Sequence, residues 1–396
     1  MKQSAEQSLS SRQHFRLTVL PLAALATVAV VLFLGALITP DDTGQLGGDF
    51  PSFFAAGSIV VDDGYEDLYD PAVQRAAQDG LISAEGGFLF FAYPPFVATG
   101  YSWLAPLGYR VAYLVQMALM AAAAVASVLL LRPMSTVVQR YPAAVIAAVV
   151  IFQPVLVSLI GGQNTALTML LVAGAARAEF SGYPVLAGVS IGLLAYKPQF
   201  GVPLALIVAF SGRWRVVAGT LGTWIALYLS GVATSGWSWI GPWWDQATAF
   251  RDVNASANGD LFVSLPGFVE HLTGIGSGAG RLLGVAIGGA GLIAIIWLWR
   301  RPAVPVATRY AVAGLGLVLM APQALFYEAG MGVVALLLVA DIDRRVARMA
   351  LAVWAAGWIY MVTAPALNTS VLVLALLAIM AVAATPGRSQ QRTTSV

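Results

Sequence analysis

The sequence predicts an all-α polytopic membrane protein, and three observations carry the prediction. Of 396 residues, 59% are hydrophobic and only 10% charged, with a mean hydropathy of +0.80. A water-facing surface needs roughly a quarter of its residues charged, so the natural solvent of this chain is a bilayer. Charge-free runs of about 20 residues recur, the length at which a helix crosses hydrocarbon with its backbone satisfied internally. Short turns rich in arginine separate several of these runs, as cytoplasmic turns do.

Residues 17–38 are charge-free behind a tail carrying Lys2, Arg12 and Arg16. Lacking an obvious small-residue cleavage site, they read as an uncleaved first span rather than a signal peptide. The stretch 39–88 then holds Asp41, Asp42, Asp49, Asp62, Asp63, Glu66, Asp67, Asp70, Asp79 and Glu85 against the single base Arg75. Following a span with a basic inner flank, this acidic loop should lie outside. Membrane helices are expected across 88–234. Residues 111–131 make a clean span between Arg110 and Arg132, whereas 141–176 is too long for one helix and is interrupted by Gly161-Gly162-Gln163-Asn164. Two helices meeting at a polar turn fit it. Shorter pieces, 180–196 and 198–212, flank Lys197, and 216–233 is a further span.

A second outer loop is expected over 235–280, with Trp237, Trp239, Trp243 and Trp244 suited to the headgroup level. Membrane helices resume over 281–386. Residues 282–299 span, 310–327 and 329–340 flank Glu328, and 349–386 hold two helices broken near Ala364-Pro365-Ala366. The tail 387–396, with Arg388 and Arg392, reads as cytoplasmic. An odd number of crossings cannot place both tails on one side. Residues 88–107, with Pro94-Pro95, are therefore read as re-entrant or interfacial, and the expectation is about eleven to thirteen spans in one membrane domain covering 1–396.

Several classes of function are excluded. A net charge of +2 without a basic run argues against nucleic acid. The absence of cysteine removes disulfides, thiol catalysis and cysteine-type metal sites, and His14 and His271 are too few for a histidine-rich centre. No phosphate-binding loop, dinucleotide fingerprint or HExxH motif is present. No repeat of about 20–50 residues is visible, which disfavours a transporter built on internal repeats.

The candidate functional residues are polar groups set in apolar surroundings. Asp49 follows Gly47-Gly48 and precedes Phe50-Pro51-Ser52-Phe53-Phe54. Partial burial there would raise its pKa, as a general base for a hydroxyl nucleophile requires; a helix cap or a salt-bridged loop acid is the plainer alternative. Gly64 to Asp70 and Tyr93-Pro94-Pro95-Phe96 read equally as interfacial aromatic packing. Gln163-Asn164, Lys197-Pro198-Gln199 and Gln323 with Tyr327-Glu328 interrupt hydrocarbon, where ionisable groups cost several kcal/mol and usually face a site or a pathway. Lys197 suits a lipid-linked phosphate or snorkels to the headgroups. Glu328 suits a substrate hydroxyl or a cation, or is a structural acid paired with a nearby arginine.

Taken in order, Gly48-Asp49-Phe50 with Phe53-Phe54-Ala55-Ala56-Gly57, Leu68-Tyr69-Asp70, Tyr93-Pro94-Pro95, Gly162-Gln163-Asn164, Lys197-Pro198-Gln199 and Pro322 with Tyr327-Glu328 resemble glycosyltransferase family 87. This is the DUF2029 group of GT-C membrane enzymes. The resemblance spans about 300 residues, and its specificity lies in the order of the motifs. Relatives often carry His after the late Pro and Asp after the Tyr, where this chain has Gln323 and Glu328.

The resemblance implies a GT-C fold with a helical first periplasmic loop and a polyprenyl-phosphate-linked donor of mannose, or of arabinofuranose. It also implies a glycolipid or glycan acceptor and transfer on the outer face of the cytoplasmic membrane. Asp49 becomes the catalytic base of an inverting displacement. Lys197, Gln163, Asn164, Gln199 and Tyr93 then line the donor and its phosphate, and Gln323, Tyr327 and Glu328 the acceptor or sugar. No cofactor is required, and a divalent metal is optional. The competing readings are a flippase or transporter of a lipid-linked sugar, and a non-catalytic envelope partner in which Asp49 would be replaceable.

Overall fold

The computed structural model describes residues 46–82, 88–273 and 279–341, with isolated positions between 24 and 39 and between 353 and 381. The expectations placed on 17–38, on Asp41, Asp42 and Glu85, on 349–386, on both tails and on the His14 and His271 side chains lie outside the described residues, apart from isolated helical positions.

The described residues are all-α, their only β features being the isolated bridges Asp79–Ile82 and Phe262–Leu325. Three helices are long and apolar enough to cross a membrane: Tyr109–Met134, Trp214–Ser235 and Leu282–Trp299. All three coincide with expected spans. The first is anchored in the core by α4 (Tyr109–Leu130), whose Tyr113, Met117, Ala124 and Val128 are buried. The second, α10 (Trp214–Ser235), and the third, within α13 (Ala279–Trp299), turn large apolar side chains outward. Leu221, Ile225, Leu229, Leu282, Val285, Ile293 and Trp297 are exposed. Such an apolar exterior is stable only in hydrocarbon.

Shorter apolar helices complete the bundle, and prolines and glycines set their ends. Residues 141–176 form three helices rather than the expected two: α5 (Pro142–Val150), α6 (Gln153–Ile160) and α7 (Thr165–Phe180). The polar turn at Gly161–Asn164 is where it was expected. The additional break, a 62° bend between α5 and α6, comes with Pro154, which has no amide to continue the ladder. Beyond α7, α8 (Pro184–Leu193) passes through the 3₁₀ turn Leu194–Tyr196 to Lys197, and Pro198 starts α9 (Pro198–Phe210). Packing of α8 on α10 is backbone to backbone, since a Cβ on Gly188 would lie 2.0 Å from the Val216 carbonyl oxygen. Small residues permit this approach in a membrane bundle. α14 (Val306–Met320) is almost wholly buried and leads through the 3₁₀ turn Phe326–Gly330 into α15 (Met331–Val339).

The acidic loop is helical, with α1 (Phe50–Asp62) and α2 (Pro71–Gln78). Asp70 caps α2 by accepting from the Ala72 and Val73 amides at 2.7 and 3.4 Å. Gln74 and Gln78, one turn apart on α2, hold an extended strap at 88–94. Gln74 donates to the Leu68 carbonyl and accepts from the Phe91 amide, while Gln78 donates to and accepts from Leu89. Then comes α3 (Pro95–Ser102), eight residues and so about 12 Å long, too short to cross. The stretch 88–107 is therefore a packed segment rather than a full span.

Two further helices occupy the expected second loop, α11 (Ile240–Asn258) and α12 (Leu265–Thr273). Trp237 and Trp244 are 74% and 59% exposed. Trp243 donates to the Ala92 carbonyl, and Gln246 donates to Gln74, so α11 docks on the strap and α2.

Candidate active site

The site begins with two glycine turns that interlock. Gly47, Gly48 and Gly162 all have positive φ, +90°, +52° and +64°. L side chains rarely adopt that conformation. A Cβ on Gly48 would lie 2.9 Å from the Cα of Gly161, and one on Gly162 would lie 2.5 Å from the Cβ of Phe50. The turns meet closely enough for the Asp49 amide to donate to the Gly161 carbonyl at 3.0 Å. Tyr113, on α4, donates to the neighbouring Ile160 carbonyl at 2.6 Å.

Asp49 occupies the cap position of α1, yet its side chain caps no amide. Its carboxylate instead accepts a hydrogen bond from Nε2 of Gln163, carried by the facing turn. The residue is half-buried among fully buried neighbours such as Phe50, Phe53 and Ala56. Burial raises its pKa above the ordinary 3.8, while the Gln163 hydrogen bond and the positive charge of Lys197 pull it down.

Lys197 does not snorkel: it is 2% exposed and forms a buried ion pair with Glu328, itself 4% exposed. Glu328 also accepts from the Thr165 hydroxyl at 3.2 Å. The partner of Glu328 is thus this lysine rather than an arginine. Removing two charges from water costs several kcal/mol per ion, offset only by close pairing and further hydrogen bonds.

Aromatic side chains surround these groups. Tyr93 is set by the strap and by Tyr69, whose hydroxyl donates to the Tyr93 carbonyl at 2.8 Å. Its ring lies 5.1 Å from Phe53 and nearly parallel to Tyr196, centroid to centroid 6.5 Å. The Tyr196 hydroxyl donates to the Asn164 carbonyl at 3.0 Å and meets the Thr168 hydroxyl. The Asn164 side chain lies close to the hydroxyls of Tyr93 and Tyr101, and the Tyr101 hydroxyl accepts from Nε2 of Gln116 at 2.9 Å. Tyr327 lies within electrostatic reach of Asp49, Glu328 and Tyr93. Oε1 of Gln163 and Oδ1 of Asn164 are buried without a protein partner.

Of the residues singled out in the sequence, Asp49, Gln163, Asn164, Lys197, Tyr93, Tyr327 and Glu328 thus come together. Gln199 does not: it is exposed on α9 beside the buried Phe200. Gln323 is engaged elsewhere, accepting from Asn254 at 3.1 Å and donating to the Arg251 carbonyl at 2.9 Å. It ties α11 to the 321–325 segment. Tyr196, Thr165 and Tyr101 were not anticipated; Tyr196 and Thr165 adjoin motif residues in sequence, the one signal that could have found them. Among the described residues no group of three His, Asp or Glu side chains is placed to hold a metal ion.

The arrangement supplies a half-buried carboxylate, a nearby ammonium and two unpartnered amide oxygens. It is equipped to orient a hydroxyl group, take its proton and face an anion. Comparison with curated proteins finds no match. The model of glycosyltransferase family 87 matches residues 91–322, more than half of the chain, with Tyr93, Gln163, Asn164 and Lys197 inside the match and Asp49 and Glu328 outside it. The chain belongs to glycosyltransferase family 87 and is a membrane glycosyltransferase.

Proposed function

We propose that the protein transfers a sugar from a polyprenyl-phosphate donor to a hydroxyl of a glycolipid or glycan acceptor. The transfer takes place on the outer face of the cytoplasmic membrane, within a GT-C architecture. Mannose is the first sugar to test and arabinofuranose the second. The observation that carries the reading is the half-buried Asp49 carboxylate, fixed by Gln163 with the charge of Lys197 nearby.

In the proposed reaction Asp49 accepts the proton of the acceptor hydroxyl as its oxygen attacks the anomeric carbon. The bond from that carbon to the phosphate oxygen breaks with inversion, and polyprenyl phosphate leaves with the bonding pair. The proton passes from Asp49 to solvent. A phosphate is already a good leaving group, so most of the work is orientation and charge stabilisation. The unpartnered oxygens of Gln163 and Asn164 are acceptors suited to sugar hydroxyls. Tyr93 and Tyr327 border the sugar, and Lys197 provides positive potential for the phosphate. Gln199 and Gln323 have no part in this scheme, and no step is assigned to a metal ion.

The test is transfer by the full chain in nanodiscs, with a panel of polyprenyl-phosphate sugars as donors and membrane lipid extract as acceptor. A folded Asp49→Asn variant is expected to lose about 10²–10⁴-fold in rate, the usual contribution of general base catalysis. Full activity in that variant, or no transfer from any donor of the panel, would sink the reading.

A further inference from the structure

The two glycine turns of the site repeat one short pattern, an apolar residue, a glycine pair and a polar residue: Leu46-Gly47-Gly48-Asp49 and Ile160-Gly161-Gly162-Gln163. A glycine pair is conformationally free and has no side chain by which its neighbours could hold it. A rigid element supplies the hold instead. Along α4, Tyr109, Tyr113 and Gln116 fall at i, i+4 and i+7 and so share one face of the helix. The Tyr109 hydroxyl donates to the Leu46 carbonyl, just ahead of the first glycine pair. One helical turn on, the Tyr113 hydroxyl donates to the Ile160 carbonyl at 2.6 Å, just ahead of the second. Gln116 is 3% exposed, and its Nε2 donates to the Gly162 carbonyl at 3.4 Å and to the Tyr101 hydroxyl at 2.9 Å. The Tyr101 ring in turn stacks on Phe53 of α1 at 4.9 Å, and Phe50 lies 5.5 and 5.7 Å from the rings of Tyr109 and Tyr113.

We propose that Tyr109, Tyr113 and Gln116 are positioning residues: this stripe of α4 is a template that sets the two glycine turns against each other, and through them Asp49 against Gln163. The proposal rests on Asp49 being the base. Residues four apart on a helix stand about 6 Å apart along its axis, a spacing that the helix ladder keeps fixed. The carbonyls gripped by Tyr109 and Tyr113 are therefore held at a set separation. Each turn then follows its own glycine pair and delivers the next side chain, Asp49 from one and Gln163 from the other. The Asp49 amide, donating to the Gly161 carbonyl at 3.0 Å, closes the arrangement. Packing alone would be served by Phe and Met at these positions. A buried hydroxyl or amide is costly unless it is hydrogen-bonded, and here all three side chains reach carbonyls of the two turns.

The test uses Tyr109→Phe and Tyr113→Phe, which keep the rings and remove the hydroxyls, with Gln116→Met, of similar length and without a donor. The hydrogen bond from the Asp49 amide to Gly161 reports the meeting of the turns with no substrate present. Exchange of that amide is followed in the full chain in nanodiscs by residue-resolved hydrogen-exchange mass spectrometry. Each variant is expected to exchange it about three- to tenfold faster than the parent, the net worth of one hydrogen bond, while amides within α4 keep their rates. In the transfer assay kcat should fall about tenfold with little change in the donor KM, as misplacement of a catalytic group predicts. Tyr113 grips the turn that carries Gln163. Adding Tyr113→Phe to Gln163→Leu should therefore cost less than the same substitution costs the parent.

Unchanged exchange of the Asp49 amide in either tyrosine variant would overturn the proposal. So would an acceleration shared by the amides of α4, which is what a general loss of stability produces. Parental kcat in the variants, a rise in KM alone, or a full additional penalty in the Gln163→Leu background would overturn it as well. Gln116→Met provides the reading if a tyrosine variant does not fold. Because exchange needs no donor, the two readings fail separately. A parent that transfers no sugar from the panel sinks the proposed function, and the exchange rates alone then decide whether the stripe holds the turns.

Discussion

The side-chain amide of Gln163 donates to the carboxylate of Asp49 across 114 residues of sequence. Each residue stands directly after a glycine pair, and the two pairs lie back to back. The hydrogen bond is thus a consequence of backbone packing, and it orients the proposed base.

Replacing Gln163 by Leu should leave the bundle assembled but release the carboxylate. A misplaced catalytic group costs on the order of 10²-fold in rate, so kcat is expected to fall by about that much, with a smaller change in KM. The same substitution removes a hydrogen bond that lowers the pKa of Asp49. The acid limb of its pH–rate profile should therefore move to higher pH, and steady-state transfer measured across pH checks both effects.

In the unsubstituted protein, kcat/KM should fall on acidification with a midpoint above the ordinary carboxylate value of 3.8, since burial raises the Asp49 pKa and the base must be ionised. Stability follows the opposite course. A carboxyl whose pKa is raised in the folded state contributes fully below its unfolded pKa, and that contribution is lost as pH rises through the folded value. Asp49→Asn should accordingly melt no lower than the parent at pH 7 while losing activity. A lower melting temperature at pH 7 would contradict this account.

Gly48→Ala and Gly162→Ala should each be strongly disruptive. Both force a side chain into a left-handed conformation, and both place a Cβ within 3 Å of the facing turn. A cost of about 1–3 kcal/mol from the backbone alone is expected, with the added contact displacing Asp49. Gly182 and Gly212 also have positive φ but open space around them. Alanine there should cost less stability and spare activity. Thermal melting and transfer rates of the four variants separate strain from packing.

Gln74→Leu should loosen the strap that carries Tyr93. Gln74 is buried, donates to Leu68, and accepts from Phe91 and Gln246. Leaving those groups unpaired costs about 1–3 kcal/mol each. Faster proteolysis within 88–94 than in the parent is the expected result.

Much of this protein was legible in its sequence. Spans such as Trp214–Ser235 and Leu282–Trp299 announce themselves, because apolar length is a local property and hydrocarbon tolerates little else. The helix breaks at Gly161-Gly162, Lys197-Pro198 and Phe326–Gly330 were visible as polar interruptions, because a residue that cannot continue a helix or face lipid marks its own position. The order of these motifs was enough to indicate the family.

Tertiary structure decided which breaks meet. Nothing local to Lys197 says that its ammonium turns to Glu328 rather than to the headgroups, and nothing in Gln163 names Asp49. The break before α9 likewise separates neighbours that sequence treats as one motif, burying Lys197 at the junction while exposing Gln199 on the helix. Gln323, in the non-helical segment 321–325, turned instead to Asn254 and Arg251. Burial and solubility in a bilayer are set residue by residue, and so can be read along the chain. Pairing of buried polar groups is set by distances between segments 69 to 131 residues apart, which only the packed bundle fixes.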